Sequence, residues 1–106
     1  AFVDIAALRG EKLSISAAQD RPGSLIVRFD LVNRAPLAQS APVLILSFDT
    51  AAKRSVALRE FAPQDYFPAS HASSRPLAAG ERVPISLALI DPGADAVNYT
   101  LAFRAP

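Results

Sequence analysis

The stretch Arg59-Glu60-Phe61-Ala62-Pro63-Gln64-Asp65-Tyr66-Phe67-Pro68 sets three aromatic residues around two prolines, in a chain with only Phe 6 and Tyr 2 to distribute. Ala62 precedes a proline and is pushed toward extended geometry. Pro63 has the fixed φ that suits the first position of a helical turn, and Pro68 stops that turn. One short helical turn near 63–67 brings Phe61, Tyr66 and Phe67 together as a plug for one end of a core. The stretch reads as the corner where the chain leaves one sheet, with strands expected on both sides of it.

Upstream, Leu25, Val27, Phe29 and Leu31 alternate with Arg28 and Asp30, the cleanest strand pattern in the chain and the mark of a central strand facing a core. Val43-Leu44-Ile45-Leu46-Ser47-Phe48 is apolar on both faces and too short for a helix, so it belongs inside a sheet or beneath a covering loop. Asp49 to Lys53 turns the chain into Ser55-Val56-Ala57-Leu58-Arg59, a hairpin in which Val56 and Leu58 share a face. Phe61 falls on the opposite face, which asks for a bulge or for Phe61 to belong to the corner.

Nearer the start, Val3 and Ile5 predict a half-buried strand over residues 2–8, Arg9-Gly10-Glu11 a break, and Leu13 with Ile15 a second short strand. Arg21-Pro22-Gly23-Ser24 reads as a tight turn. Downstream, Val83, Ile85, Leu87 and Leu89 face inward on a strand whose early, outward Pro84 marks it as an edge strand or one just entering the ladder. Asp91-Pro92-Gly93 is a second turn, followed by Val97, Tyr99, Leu101 and Phe103 alternating with polar or small residues. About seven short strands at regular spacing predict an all-β chain: an antiparallel β-sandwich with immunoglobulin-like Greek-key wiring, as a single domain over 1–106.

The composition narrows the chemistry. Lys+Arg 11 against Asp+Glu 10 gives a net charge of +1, too weak a field to attract nucleic acid or anionic lipid. Cys 0, Met 0 and His 1 remove most soft-metal and zinc ligands, so neither cofactor nor metal is expected. No apolar run reaches the roughly 20 residues that span a bilayer, so no membrane insertion is expected of this stretch itself. The chain does not begin with methionine and reads as a fragment of a longer protein.

Four features spread over residues 25 to 103 resemble one family. They are the strand ending in Asn33; Pro42 opening Val-Leu-Ile-Leu-Ser-Phe-Asp; the run from Arg59 to Phe67; and Leu77-Ala78-Ala79-Gly80 before the next strand. Together they are similar to the uncharacterised C-terminal periplasmic domain of proteobacterial membrane proteins that begin with a zinc-ribbon motif. The resemblance implies a zinc ribbon and one transmembrane helix upstream of Ala1, a periplasmic location tethered to the inner membrane, and no known activity. One departure is visible, because the hairpin after Asp49 reads Thr-Ala-Ala-Lys where that family usually carries a glycine.

Candidate sites divide between interaction and structure. Arg59, Phe61, Pro63, Asp65, Tyr66 and Phe67 form the candidate interaction or structural corner. Tyr66 is read first as a buried plug whose hydroxyl caps a backbone group, and second as an exposed binding anchor. His71 lies beside Ser70, Ser73 and Ser74, with Asp65 nearby, but a serine-histidine-acid site needs a rigidly held nucleophile and oxyanion donors rather than one polar loop. An unchanged protein is expected on His71→Ala. Asp91 and Asp95 are too few to hold calcium, and Asn98-Tyr99-Thr100 matches the glycosylation pattern only as a weak three-residue motif. The chain is thus expected to be a non-catalytic interaction module that binds another envelope protein. The alternatives are a ligand-binding or hydrolytic domain using the 69–75 loop, or a passive spacer.

Overall fold

The computed structural model describes residues 2–72 and 75–106. Its strands are β1 (Leu8–Ala17), β2 (Ser24–Asn33), β3 (Val43–Asp49), β4 (Ser55–Phe61), β5 (Arg82–Ile90) and β6 (Asn98–Arg104), with the one-turn helix α1 (Pro63–Tyr66) between β4 and β5. All pairings are antiparallel and make two three-stranded sheets, β1-β2-β5 and β4-β3-β6. These are the A-B-E and C′-C-F neighbours of immunoglobulin-like wiring. β2 and β3 are the central strands, as their sequences require.

The core forms where the alternating faces of the sheets meet. Val27, Phe29 and Leu31 of β2 and Val83, Ile85 and Leu87 of β5 pack against Leu44, Leu46 and Phe48 of β3. Phe61 lies opposite Leu44 in an unbroken register that runs to Ala57 opposite Phe48. No bulge separates Leu58 from Phe61, so Val56 and Leu58 occupy the outer face of the second sheet. The turns follow their sequences. Ser24 N–H donates to the Arg21 carbonyl across Pro22-Gly23, with Gly23 at φ 80° as a type II turn requires. In the β3-β4 hairpin Lys53 takes φ 63°, the left-handed conformation that favours glycine.

The N-terminal segment differs from expectation. Residues 2–8 do not form a strand: Ile5–Ala7 make a single 3-10 turn, and the chain then runs as one ten-residue strand, β1, giving six strands among the described residues. Arg9-Gly10-Glu11 lies within that strand, not at a break. The only irregularity is at Lys12, at φ 57°, between Glu11 and Ser14. Gly10 is there for proximity and not for a turn. A Cβ at Gly10 would stand 2.7 Å from Leu101 Cδ2 and 3.6 Å from Phe103 Cζ, so β1 approaches β6 closely only because no side chain intervenes. Gly10→Val is therefore expected to lower the unfolding free energy by about 1–3 kcal/mol through overpacking. Gly10→Ala, which can be met by a shift of the Leu101 side-chain tip, should cost less; urea denaturation of the two variants gives the order.

The two flanks of the sandwich are closed differently. On one, α1 touches both β4 and β5 and seals the gap between the sheets. On the other, β1 and β6 meet at Gly10, and Tyr99 of β6 remains 43% exposed although it lies opposite buried Phe48.

Candidate functional site

The corner is built by local rules before it meets the core. Ala62 is extended, at φ −79° and ψ 162°, as the residue before a proline should be, and Pro63 opens the helical turn. The Asp65 carboxylate accepts the Ala62 N–H at 3.0 Å, while the Asp65 N–H donates to the Ala62 carbonyl at 2.8 Å. That closes the first turn with an acidic residue where the helix dipole favours one. Phe67 N–H donates to the Pro63 carbonyl, and the chain leaves extended toward Pro68.

This turn aims Tyr66 inward. Its ring is 2% exposed and its hydroxyl donates to the Pro42 carbonyl at 2.7 Å, which ties the corner to the residue that opens β3. Burial pushes the Tyr66 hydroxyl pKa up. Phe67 is half-buried against the core, with its ring centroid 4.6 Å from Tyr66 and 4.0 Å from His71. Phe61 also packs against the core. Tyr66 thus lies in the core cluster, with Phe61 and Phe67 packed against it. Arg59, Glu60, Gln64 and Asp65 stay exposed. The Arg59 guanidinium bonds the neighbouring Leu58 carbonyl, and Glu60 pairs with Arg104 across β3 at 2.8 Å.

His71 is not a solvated loop residue. It is 7% exposed, stacked on Phe67, and held at Nδ1 by Arg75 Nη2 at 2.7 Å. Since an arginine can only donate, Nδ1 accepts and the neutral ring carries its proton on Nε2. That Nε2 is buried without a partner among the described residues. A general base in a triad needs the reverse, with a carboxylate accepting from Nδ1–H and a free lone pair on Nε2. Ser73 and Ser74 lie outside the described residues, and Ser70 is exposed. Burial also overturns the expectation for His71→Ala. Loss of a packed ring should reduce stability by about 1–3 kcal/mol, visible as a lower melting temperature.

Arg75 reaches past His71 to Glu81, whose carboxylate accepts it at 2.5 and 3.2 Å and also accepts the Ala78 N–H at 2.8 Å. The Arg75 guanidinium holds the Glu81 carboxyl below the usual carboxylate range, as Arg34 and Arg82 do for Glu11. Both groups bind their protons less tightly folded than unfolded. Their contribution is therefore complete above about pH 4.3 and is lost as pH falls through the depressed folded values. Glu81→Gln should lower stability at pH 7 by less than about 1 kcal/mol, because the pair is partly solvated, and flatten the acid limb of a stability-versus-pH curve by the same amount.

A second cluster, beyond what the sequence patterns pointed to, locks the 33–41 link beneath the 75–81 segment. Asn33 is fully buried and Gln39 nearly so. Asn33 Nδ2 lies 3.1 Å from each of the Leu37, Leu77 and Ala78 carbonyls, while its Oδ1 accepts from Ala35 N–H at 3.0 Å and Gln39 Nε2 at 2.8 Å. Gln39 also exchanges hydrogen bonds with the Asp4 backbone at 2.9 and 3.2 Å. The sequence marks Asn33 only as a strand end and Gln39 only as part of a polar link.

Two shallow grooves lie on the first sheet. One of about 520 Å³ is lined by Ser16, Ala17, Gln19, Asp20, Ile26 and Arg28, and one of about 290 Å³ by Lys12, Arg28, Asp30 and Pro84 among others. Neither includes the corner or His71. Among the described residues no three metal-binding side chains cluster, and no helix is long and apolar enough to cross a membrane. Asp91 Oδ1 accepts the Gly93 N–H at 2.9 Å, a turn-capping role.

No curated protein and no solved structure matches the chain. Residues 5–103 match the family described as "Protein of unknown function (DUF3426)", and the chain belongs to that family.

Proposed function

We propose that this domain is a non-catalytic protein-interaction module, held outside the inner membrane of a bacterium by an upstream helix, that binds another envelope protein beside the 59–68 corner. The observation that carries this reading is on β4, where Leu58 is 54% and Val56 38% exposed on the outer face. They adjoin the exposed Arg59 and Glu60 and the rigid turn behind them. Exposed apolar side chains rimmed by charge on a fixed scaffold are how docking surfaces are built. The protonation pattern at His71 speaks against a hydrolytic use of the 69–75 loop. A passive spacer would have no need of outward Leu58.

The test is a photoreactive amino acid placed at Gln64 in the membrane-tethered protein, in cells. A discrete crosslinked species is expected, lost on Leu58→Asp or Arg59→Glu while the melting temperature stays within a few degrees. A domain that crosslinks to nothing at this surface would be a spacer, and one that crosslinks equally well in the variants does not dock through Leu58 and Arg59. Protease accessibility in osmotically shocked cells but not in intact ones is the expected result for its location.

A further inference from the structure

A sheet edge exposes unpaired backbone groups, and stable domains blunt such edges with proline, bulges, charges or covering segments. Three of the four edges here are blunted. β5 carries Pro84, β1 is interrupted at Lys12 with φ 57°, and β4 carries Arg59 and Glu60 and is flanked by α1. β6 has none of these devices. It runs in unbroken register with β3 from Asn98 opposite Asp49 to Arg104 opposite Val43, without proline, bulge or any charge before its last residue. It also borders the flank where β1 and β6 meet at Gly10, and there Tyr99 and the adjoining Val97 are 43% and 57% exposed and Leu101 and Phe103 are only partly covered.

From this we infer that β6 pairs antiparallel with β6 of a second copy, joining the two β4-β3-β6 sheets across a two-fold axis into one six-stranded sheet. The occupant is argued from the strand itself. Centred on Leu101, the register places Leu101 against its own counterpart, Tyr99 against Phe103, Thr100 against Ala102 and Asn98 against Arg104. The core-facing row then holds two aromatic cross-strand pairs about a leucine pair, and the outer row opposes no like charges. A register centred one residue either way breaks both aromatic pairs. The net charge of +1 sets up little repulsion between copies. This surface lies on the flank opposite the corner, so the pairing stands or falls separately from the function proposed above.

One strand from each copy buries less than the roughly 1,200 Å² of a standard interface, so association should be weak and reversible. Sedimentation velocity of the 106-residue chain is expected to show a monomer–dimer equilibrium with Kd on the order of 100 µM. A chain that remains monomeric up to about 1 mM overturns the inference and leaves the edge to a strand from a different protein. Thr100 and Ala102 point outward and are exposed, so Thr100→Lys with Ala102→Lys should keep the melting temperature while weakening the dimer at least about tenfold, since the register sets the new charges against each other. Mixing that variant with Thr100→Glu, Ala102→Glu should restore association as a heterodimer. An undiminished dimer in the lysine variant, or no restoration on mixing, places any association elsewhere and overturns the register. In the unaltered chain, amide exchange across 98–104 should slow as concentration rises; exchange there that is independent of concentration contradicts the pairing.

Discussion

Replacing Asn33 should be the most damaging single change in this domain, and Asn33→Asp should be worse than Asn33→Ala at neutral pH. Alanine removes five hydrogen bonds, but they are not of equal weight. The Leu77 carbonyl keeps the Gln39 N–H and the Ala78 carbonyl keeps the Glu81 N–H, and Gln39 Nε2 keeps the Asp4 carbonyl. The buried Ala35 N–H loses its acceptor outright. One stranded buried donor and the space left behind should together cost about 3 kcal/mol, a large part of a stability that for small domains is about 5–15 kcal/mol. Aspartate keeps the shape but turns the Nδ2 position into a further acceptor facing the Leu37, Leu77 and Ala78 carbonyls.

A buried carboxylate among carbonyl oxygens is expelled or protonated. Its pKa would be raised in the folded state, so the variant's stability should be greatest below about pH 4 and fall as pH rises through the raised folded value. Denaturant titration at pH 4.5 and pH 7 checks this. Asn33→Asp should recover relative to Asn33→Ala at the lower pH, and equal losses at both pH values would mean that the three carbonyls do not face that position.

The second large effect is at Tyr66. Tyr66→Ala should cost about 3–5 kcal/mol, from the lost ring and the cavity between β4 and β5, and lower the melting temperature by roughly 15–25 °C. Tyr66→Phe keeps the ring and isolates the hydroxyl, whose loss leaves the Pro42 carbonyl without its donor and should cost about 1–1.5 kcal/mol. The two variants separate packing from tethering. Burial raises the hydroxyl pKa above its unfolded value, so its contribution is whole below about pH 10 and is lost as pH rises through the folded value. Tyr66→Phe should therefore lose less stability between neutral and strongly alkaline pH than the unaltered chain. A small, equal effect of both substitutions would remove Tyr66 from the plug.

Both residues show where reading a sequence succeeds and where it stops. The corner was legible because everything that forms it is local: Ala62 before Pro63, the acidic Asp65 three residues on, and Pro68 as a stop act over one helical turn. The two proline-glycine turns and the alternation in β2, β3 and β5 were legible for the same reason. Alternation also identified Val56 and Leu58 as sharing a face, but a period of two says only that two residues lie together. Which way that face points depends on how the sheets pack, and here Val56 and Leu58 remain partly exposed on the outer side.

The sequence by itself determined the fold class, the central strands and the turns, since each follows from dihedral preferences and side-chain period within a few residues. Tertiary structure alone decided the rest. Gly10 reads as a break until Leu101 and Phe103, some ninety residues away, are seen to need the space of its missing side chain. Asn33 and Gln39 read as loop polarity until partners 35 to 45 residues distant satisfy them. His71 is a serine-loop histidine until Phe67 and Arg75 enclose it. Strand order, and with it the open edge at β6, is set by which faces remain to be buried once both sheets exist, and no local pattern encodes that.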